Sequence, residues 1–277
     1  MPELPEVETI ARYLRQGRED SPPLLGERVT RALLLWERTL AYPSPPEFID
    51  RIHDQLVRFI DRRGKFLQLR LSQDTLLIHL RMSGDIRVEA EELPLAPHDR
   101  LVLEFASGLR MAFNDTRKFG RVWLVEDPAS VLASLGPEPL DEALTAPDFY
   151  HMLHSRRRQL KPLMLDQTFL AGLGNIYTDE ALHLARIHPL ALSDRLSIEQ
   201  AECLLLSIRK VLREGIRRQG ASIDWVYRGG DFQNYLRVYR RAGQPCPECG
   251  AAILRLVIGQ RSTHICPDCQ SLDRSMV

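Results

Sequence analysis

Lysine is scarce in this 277-residue sequence, because only four of its 37 basic residues are lysines and the rest are arginines. The four are Lys65, Lys118, Lys161 and Lys210. Arginine keeps its charge and its planar fork of donors, whereas the lysine amine is a compact charge that also titrates. In a sequence that uses arginine so strongly, a lysine indicates a position that needs such an amine. The alternative is that the lysine lies on the surface by chance.

Long apolar runs are also missing, since no segment approaches 18 consecutive apolar residues. The N-terminus lacks the basic-then-apolar pattern of a secretory signal. We therefore expect a cytoplasmic protein with no membrane partner. The sequence shows no internal repeat or heptad pattern, so we expect a monomer. Its length predicts two domains, or one domain with a small appendage.

The formal net charge is zero, but the charge is unevenly distributed. Residues 1–150 carry 19 basic and 25 acidic side chains, whereas residues 151–277 carry 18 and 12. The two parts therefore have net charges of −6 and +6. A basic second part is typical of proteins that bind nucleic acid or an acidic partner, although solvated basic helices give the same pattern.

The first eight residues, MPELPEVE, place a proline behind the initiator methionine and follow it with acids. If Met1 is removed, Pro2 presents a secondary amine with a pKa near that of an α-amino group, roughly 7.7–8.0. Such an amine can attack an aldehyde-like carbon to give a cationic iminium, while a carboxylate such as Glu3 moves protons. The alternative is structural, with Pro5 beginning a helix and Glu6 favoured by the helix dipole.

Apolar periodicity predicts an α+β protein of more than one domain. Residues 5–17 have the pattern of an amphipathic helix. Residues 26–126 alternate apolar and polar positions in short runs, which predicts an antiparallel β-sandwich or barrel with that helix packed on it. Residues 134–147 are rich in proline and acids and indicate a domain boundary. Steps of three and four residues then predict three helices, at 148–158, 175–186 and 197–218.

The cysteine and the histidines of the helical part are not predicted to be catalytic. Cys203 falls on the apolar face of the last helix, which predicts a thiol in the core. The histidines of this part show no ligand spacing with an acid or a cysteine, so we interpret them as structural or surface residues. They are His151, His154, His183 and His188.

The C-terminal part contains two Cys-x-x-Cys pairs separated by sixteen residues. This spacing predicts a tetrahedral site of four thiolates that holds one structural Zn²⁺, with no position left open for water. The ligands are Cys246, Cys249, Cys266 and Cys269. The apolar residues between the pairs predict a hairpin, and therefore a zinc ribbon. Arg261 lies on its return strand, where it can reach a phosphate.

Three further segments suggest contact with nucleic acid. RRGKF places Lys65 beside a turn glycine, RMSG places Met82 at a turn, and NDTRKFG places Arg117 and Phe119 at the tip of a β-loop. A cation with two apolar wedges can enter a base stack and fill the space of a displaced base. Ordinary core packing is the alternative for Met82 and Phe119. A glycine-rich turn also places Asn175 near a helix N-terminus, where backbone N–H groups can bind an anion.

Taken together, these segments resemble the formamidopyrimidine-DNA glycosylase family (MutM type), within the wider group that includes the endonuclease VIII enzymes. The resemblance covers nearly the whole chain. It rests on MPELPEVET, RRGKF, IHLRMSG, NDTRKFG, LGPEPL, LKPLMLDQTFLAGLGNIYTDEAL and the four-cysteine ribbon containing GQRST. It implies a DNA-repair enzyme associated with the bacterial nucleoid that excises oxidised bases from double-stranded DNA and then cuts the strand by β,δ-elimination.

The resemblance implies specific domains and roles. Residues 1–134 form a catalytic β-sandwich domain, 135–147 a linker, 148–238 a helix–two-turn–helix domain and 239–277 the zinc ribbon. The catalytic residues are Pro2 as nucleophile, Glu3 as acid/base and Lys65, with Glu6 in support. The DNA-binding residues are His98, the void-filling trio of Met82, Arg117 and Phe119, the phosphate clamp of Asn175 and Arg261, and Lys161. The clamp and the nucleophile lie in different domains, which implies a DNA cleft between them.

One segment departs from the family pattern. Between the last helix and the ribbon, the chain is shorter than is usual for MutM-type enzymes and contains Trp225, Tyr227 and the pair Gly229–Gly230. This departure leaves open a preference for formamidopyrimidines and oxidised pyrimidines over 8-oxoguanine, or a preference for oxidised pyrimidines as in the endonuclease VIII enzymes. A zinc-ribbon DNA-damage-binding protein without catalysis is a second alternative, favoured if Met1 is retained, because an acylated Pro2 cannot attack. A structural zinc-ribbon subunit would not need Pro2, Glu3 and Lys65 together.

Overall fold

The computed structural model describes residues 2–18, 21–223 and 229–272, and these fall into two compact units. The first unit contains the described residues up to Ala133 together with the described part of 219–230. The second contains 134–218 and the described residues from Asp231 onwards. The return of residues 219–223 and 229–230 to the first unit is not predicted by the sequence. Within the described ranges, no helix is both long enough and apolar enough to cross a membrane.

The first unit is a β-sandwich with one amphipathic helix packed on it. Its elements are α1 (Leu4–Gln16), β1 (Val29–Leu34), β2 (Leu40–Tyr42), α2 (Pro45–Ile52), β3 (Phe59–Arg63), β4 (Phe66–Arg70), β5 (Thr75–His79), β6 (Gly84–Ala90), β7 (Asp99–Phe105), β8 (Leu109–Asp115), β9 (Arg121–Val125) and α3 (Ala129–Leu132). One sheet has the order β1-β7-β8-β6 and the other β2-β9-β5-β4-β3. Apolar residues of both sheets and of α1 form a single core, as the alternating pattern predicts.

Helix α1 follows the predicted pattern and begins one residue earlier. Val7, Ile10 and Leu14 recur at three- and four-residue steps and are buried. The helix ends at Gly17, whose φ of 78° suits glycine, and a Cβ there would lie 3.0 Å from the Ser21 carbonyl oxygen. Because α1 packs against β3 and β4, the first residues of the chain are held on the second sheet.

The second unit is helical and ends in a β-hairpin. Its elements are α4 (Ala146–His154), α5 (Leu160–Leu165), α6 (Asn175–Leu184), α7 (Ile198–Arg217), β10 (Leu254–Ile258) and β11 (Arg261–Ile265). The three predicted helices and the predicted hairpin are present. Capping boxes begin α4 and α7, where Thr145 and Ser197 accept hydrogen bonds from the backbone three residues on.

The prediction of a core thiol at Cys203 is wrong, because this side chain is exposed. The buried stripe of α7 runs through Leu204, Leu205 and Ile208. Cys203 shares the opposite face with Leu206, which is 56% exposed. Apolar residues of α7 lie on its exposed face as well as on its buried face. The sequence pattern therefore did not show which of these residues are buried.

Candidate active site

Pro2 and Glu3 are buried immediately before α1. The backbone N–H of Glu3 donates to Oε2 of Glu6 at 2.8 Å. The residue that follows the predicted nucleophile is therefore fixed by a carboxylate one turn further along the helix, as in a capping box.

Glu6 also joins α1 to a distant segment of the same unit. Its second oxygen, Oε1, accepts the backbone N–H of Ala221 at 2.8 Å. The neighbouring Gly220 has a φ of 83°, and a Cβ there would lie 2.7 Å from the same oxygen. Only glycine is accommodated without displacing Glu6. The sequence predicts a supporting role for Glu6 but does not reveal this partner.

Lys65 lies in the two-residue turn between β3 and β4 and is only 6% exposed. Gly64 precedes it with a φ of 56°, a conformation that suits glycine in a tight hairpin turn. Arg62 donates to the Gly64 carbonyl oxygen at 3.0 Å and to Glu8 Oε2 of α1 at 3.3 Å. Helix α1 and the Lys65 turn are therefore tied to each other by one guanidinium.

A neutral imidazole accompanies Lys65. Burial, together with the positive charges of Arg81 and Lys65, lowers the pKa of His79 to about 3. Its Nδ1 accepts the backbone N–H of Arg81 at 3.1 Å, and its ring meets the edge of Phe66 at 4.7 Å between centroids. At neutral pH this histidine packs against the hairpin without adding a second cation beside Lys65.

The three residues of the void-filling trio are exposed. Met82 is 39% and Phe119 49% exposed, and the Arg117 guanidinium lies 5.1 Å from the centre of the Phe119 ring. Core packing therefore does not account for either apolar side chain. A cation stacked on an aromatic ring is a group that can insert beside a base.

Two buried residues that the sequence analysis did not single out bring the trio together. The Asp115 carboxylate accepts the Ser83 hydroxyl hydrogen and the backbone N–H groups of Arg117 and Gly120, the last two at 3.1 and 2.7 Å. Asp115 is fully buried and Ser83 is 6% exposed. Ser83 adjoins Met82, so one carboxylate holds both loops that carry the trio.

His98 is hydrogen-bonded to the backbone of the same aspartate. It is exposed, has a φ of 77°, and accepts the backbone N–H of Asp115 on its carbonyl oxygen at 3.0 Å. Arg100 donates from Nε to the Asp115 carbonyl oxygen at 2.7 Å, with its guanidinium 3.3 Å from His98 Nδ1. The four predicted DNA-binding residues of the first unit therefore lie in, or next to residues in, loops that are hydrogen-bonded to Asp115.

The phosphate clamp residues lie together in the second unit. Asn175 is the first residue of α6, and its Nδ2 donates to the Ser262 carbonyl oxygen at 2.9 Å. Ser262 follows Arg261, which is exposed at the start of β11. A helix N-terminus and an adjacent guanidinium form an arrangement that suits a phosphate.

Lys161 does not lie at the surface with them. Its side chain is fully buried, its ammonium pairs with Asp179, and it donates to the Asn175 carbonyl oxygen at 3.3 Å. The other oxygen of Asp179 accepts the backbone N–H of His264 at 2.9 Å. A buried, paired ammonium is not available to a surface phosphate, so in this structure Lys161 supports the clamp from beneath.

The four cysteines of the ribbon have the geometry of a thiolate metal site. Their sulfur atoms all lie within 4.8 Å of one another, with Cys246 and Cys269 3.9 Å apart and Cys249 and Cys266 3.3 Å apart. A tetrahedral Zn²⁺ with bonds of about 2.3 Å separates its sulfur ligands by about 3.8 Å. The residues present therefore fit the zinc site that the spacing predicts.

Three domain families match successive parts of the chain. The Formamidopyrimidine-DNA glycosylase N-terminal domain matches residues 1–122, and the Formamidopyrimidine-DNA glycosylase H2TH domain matches residues 135–226. A zinc finger found in FPG and IleRS matches residues 243–272. These matches define a DNA glycosylase built from a sandwich, a helical domain and a zinc finger. The chain belongs to the formamidopyrimidine-DNA glycosylase family, as its motifs predict.

Full-length relatives carry the same family name. The chain is 46% identical over 278 residues to a formamidopyrimidine-DNA glycosylase of Chloroflexus aurantiacus, with 98% of each covered. It is 42% identical over 279 residues to that of Protochlamydia amoebophila, covering 98% of this chain and 99% of the relative.

Solved structures of the family have the same fold. A MutM in complex with DNA containing carbocyclic 8-oxo-G superposes with a TM-score of 0.89 at 34% identity, covering 98% of this chain and all of that chain. The Lactococcus lactis enzyme bound to Fapy-dG DNA gives 0.89 at 33% identity with the same coverage. The predicted α+β fold class is thereby confirmed. Trp225 and Tyr227 lie outside the described residues, so the effect of this shorter segment on lesion preference stays a prediction.

Proposed function

We propose that this protein is a bifunctional DNA glycosylase and abasic-site lyase that excises oxidised bases through the amine of Pro2. The observation that carries the proposal is the position of Pro2, which is buried just before α1. It is followed by Glu3, whose backbone N–H is held by the Glu6 carboxylate. An N-terminal secondary amine next to a buried carboxyl group has the two functions that the reaction needs, a nucleophile and an acid/base.

The chemistry follows from the amine. The Pro2 nitrogen forms a bond to C1′ of the damaged nucleotide as the bond from C1′ to the base breaks, and the base leaves with that electron pair and takes up a proton. The attack leaves the Pro2 nitrogen cationic, and it releases its N–H proton to regain a lone pair. The C1′–O4′ bond then opens, O4′ receives a proton from the Glu3 carboxyl group, and the nitrogen lone pair completes an iminium. Loss of the 2′ proton expels the 3′ phosphate, loss of the 4′ proton expels the 5′ phosphate, and water releases Pro2 from the iminium.

The reacting nucleotide must leave the duplex before it can meet Pro2, since C1′ is shielded within the stack. The exposed trio of Met82, Arg117 and Phe119 fills the vacated space, with the Arg117 guanidinium facing the orphaned base. Lys65 supplies a positive charge near the lesion and its phosphates. Asn175 and Arg261 hold the phosphates that flank the displaced nucleotide. Contacts of this kind offset an unstacking cost of a few kcal/mol.

The zinc ribbon holds one structural Zn²⁺ on its four cysteines. The metal supplies folding stability to the hairpin that carries Arg261. Cys246 is already arranged for this role, because Glu248 donates its backbone N–H to the Cys246 sulfur at 3.5 Å.

Oxidised purines are the proposed substrates. The relatives named above are formamidopyrimidine-DNA glycosylases, and the similar solved structures contain DNA with carbocyclic 8-oxo-G or with Fapy-dG. We further propose that the protein acts as a monomer on nucleoid DNA in the cytoplasm.

A lesion panel with a Glu3→Gln variant tests the proposal. Duplexes carry 8-oxoguanine, a formamidopyrimidine or an oxidised pyrimidine, and excision is followed in single turnover. Removing the acid/base should slow base excision by about 10²- to 10⁴-fold. Covalent trapping on an abasic duplex should fall less, because an abasic deoxyribose also opens to its aldehyde without Glu3. The exposed Glu92→Gln is the matched control and should keep wild-type rates.

Excision of oxidised pyrimidines alone would instead assign the endonuclease VIII preference. Binding to the lesions without excision, by protein shown by mass spectrometry to lack Met1, would identify a damage-binding protein and contradict the proposed catalysis.

A further inference from the structure

Side chains along the whole of helix α6 are hydrogen-bonded to the C-terminal segment of the chain. Asn175, its first residue, donates to the Ser262 carbonyl oxygen, and Asp179 accepts the backbone N–H of His264 one turn later. Both partners belong to β11, so the first half of α6 holds the hairpin that carries the phosphate clamp.

Glu180 holds the segment that leads into the ribbon. Its fully buried carboxylate accepts the backbone N–H groups of Arg237, Val238 and Tyr239 at 2.8–2.9 Å. Val238 belongs to the small apolar cluster that also contains Cys246 and Cys266. The middle of α6 therefore fixes the backbone just before the first zinc ligand.

The last of these contacts reaches the metal site itself. His183 is 2% exposed, and its Nε2 lies 3.4 Å from the sulfur of Cys246. Its other ring nitrogen, Nδ1, is buried and has no hydrogen-bond partner among the described residues. A neutral imidazole carries one N–H. The tautomer with that hydrogen on Nε2 is therefore the one that makes a hydrogen bond, and the sulfur is its acceptor.

We propose that His183 is a fifth residue of the zinc site, which does not bind the metal but donates its Nε2–H to the Cys246 thiolate. Four thiolates around one Zn²⁺ leave a net charge of −2, and a buried N–H donor disperses part of that charge. Residues outside the ligand set that orient a ligand in this way commonly raise metal affinity by about 10- to 100-fold.

The contact between His183 and Cys246 also attaches the small ribbon to the helical domain. Among the described residues, the buried cluster around the cysteines consists of Val238, Cys246, Ile253 and Cys266, with Ala251 and Cys269 packed against it. His183 and Asn175 lie at opposite ends of α6. One ten-residue helix therefore fixes both the cysteine site and the phosphate clamp. The link to the clamp rests on the proposed function, whereas the link to zinc does not.

Zinc affinity of two variants tests the hydrogen bond. His183→Phe keeps a ring of similar size but removes the donor, and His183→Gln restores an amide N–H near the position of Nε2. In competition with a chelator of known affinity, His183→Phe should bind zinc about 10-fold more weakly, while His183→Gln should stay close to the wild type. His188→Gln is the matched control, since His188 is a buried histidine of the same unit whose Nδ1 accepts the Leu190 N–H at 3.1 Å.

Wild-type affinity in His183→Phe would overturn the proposal. Equal losses in His183→Phe and His183→Gln would also overturn it, because they would assign the effect to packing. The wild-type protein gives a test that needs no variant. With ¹⁵N-labelled histidine and ¹¹³Cd in place of zinc, the Nε2–H of His183 should show a scalar coupling to the metal through the sulfur. A hydrogen located on Nδ1, or no coupling, would contradict the assignment whatever the stability of the variants.

Discussion

Asp115 is the single residue on which most of the predicted DNA-binding side chains of the first unit depend. Its buried carboxylate accepts hydrogen bonds from two loops, and its backbone is bonded to His98 and Arg100. None of these groups touches the reaction chemistry. Asp115 is therefore a positioning residue for the trio.

Asp115→Asn should loosen both loops. The amide would direct an NH₂ group at one of the donors that the carboxylate now accepts, which leaves a buried N–H unsatisfied at a cost of about 1–3 kcal/mol. We expect a lower urea midpoint and slower excision from duplex DNA, with much less effect on trapping at a single-stranded abasic site, where no void forms. The exposed Asp50→Asn is the control. Equal losses on both substrates would contradict a positioning role.

Functional residues could be predicted from the sequence where all the residues involved lie in one short segment. The N-terminal Pro2–Glu3 pair and the exposed Met82 and Phe119 are recognisable in short segments. The Ser83–Asp115 contact spans 32 residues and depends on the register of β6 and β8, which pairs Gly84 with Asp115. A single sequence does not reveal that register, so Asp115 and Ser83 were not predicted as partners although both lie inside recognised motifs.

At the scale of elements, the hairpin of β4 and β5 carries a titratable group that should affect stability. His79 pairs in register with Phe66, and burial with the charges of Arg81 and Lys65 lowers its pKa from 6.5 to about 3. The unfolded chain binds a proton at this residue below pH 6.5, whereas the folded chain does not. The contribution of His79 is therefore complete above pH 6.5 and declines as the pH falls towards 3.

Urea unfolding between pH 7 and pH 5 measures this effect. His79 should account for a loss of roughly 1 kcal/mol per pH unit below 6.5. His79→Gln keeps an acceptor for the Arg81 N–H but does not titrate, so its stability should fall less steeply with decreasing pH. His53→Gln, the same substitution at an exposed position, is the control. Parallel slopes in His79→Gln and the wild type would show that His79 is protonated in the folded state.

Element prediction depended on length and on repeated pattern. Long amphipathic α7 and most of the alternating strands were predicted, whereas β2, β3, α2, α3 and α5 were not. Strand β2 has three residues and pairs in parallel with β9, and α5 has six residues with Pro162 inside it. Such short segments give no measurable period, and tertiary contacts decide their conformation.

At the scale of the whole molecule, the two units should respond differently to loss of zinc. The first unit has a large core of its own that shares no residue with the ribbon cluster. Chelation should expose residues 236–272 to proteolysis and weaken duplex binding by at least about 10-fold, because Arg261 is no longer held. Fragments of residues 2–133 should persist, and added zinc should restore binding. Simultaneous digestion of both regions would contradict this account.

The central claim is that the amine of Pro2 performs the reaction, and borohydride trapping tests it most directly. The protein, verified by mass spectrometry to lack Met1, is reduced in the presence of a duplex with 8-oxoguanine opposite cytosine, and separately with an abasic duplex. The account predicts a covalent complex on both, mapped to Pro2 by peptide sequencing. Pro2→Leu, which retains Met1 and removes the secondary amine, should form none. A complex mapped to Lys65 or to another lysine, or equal trapping by Pro2→Leu, would contradict the account.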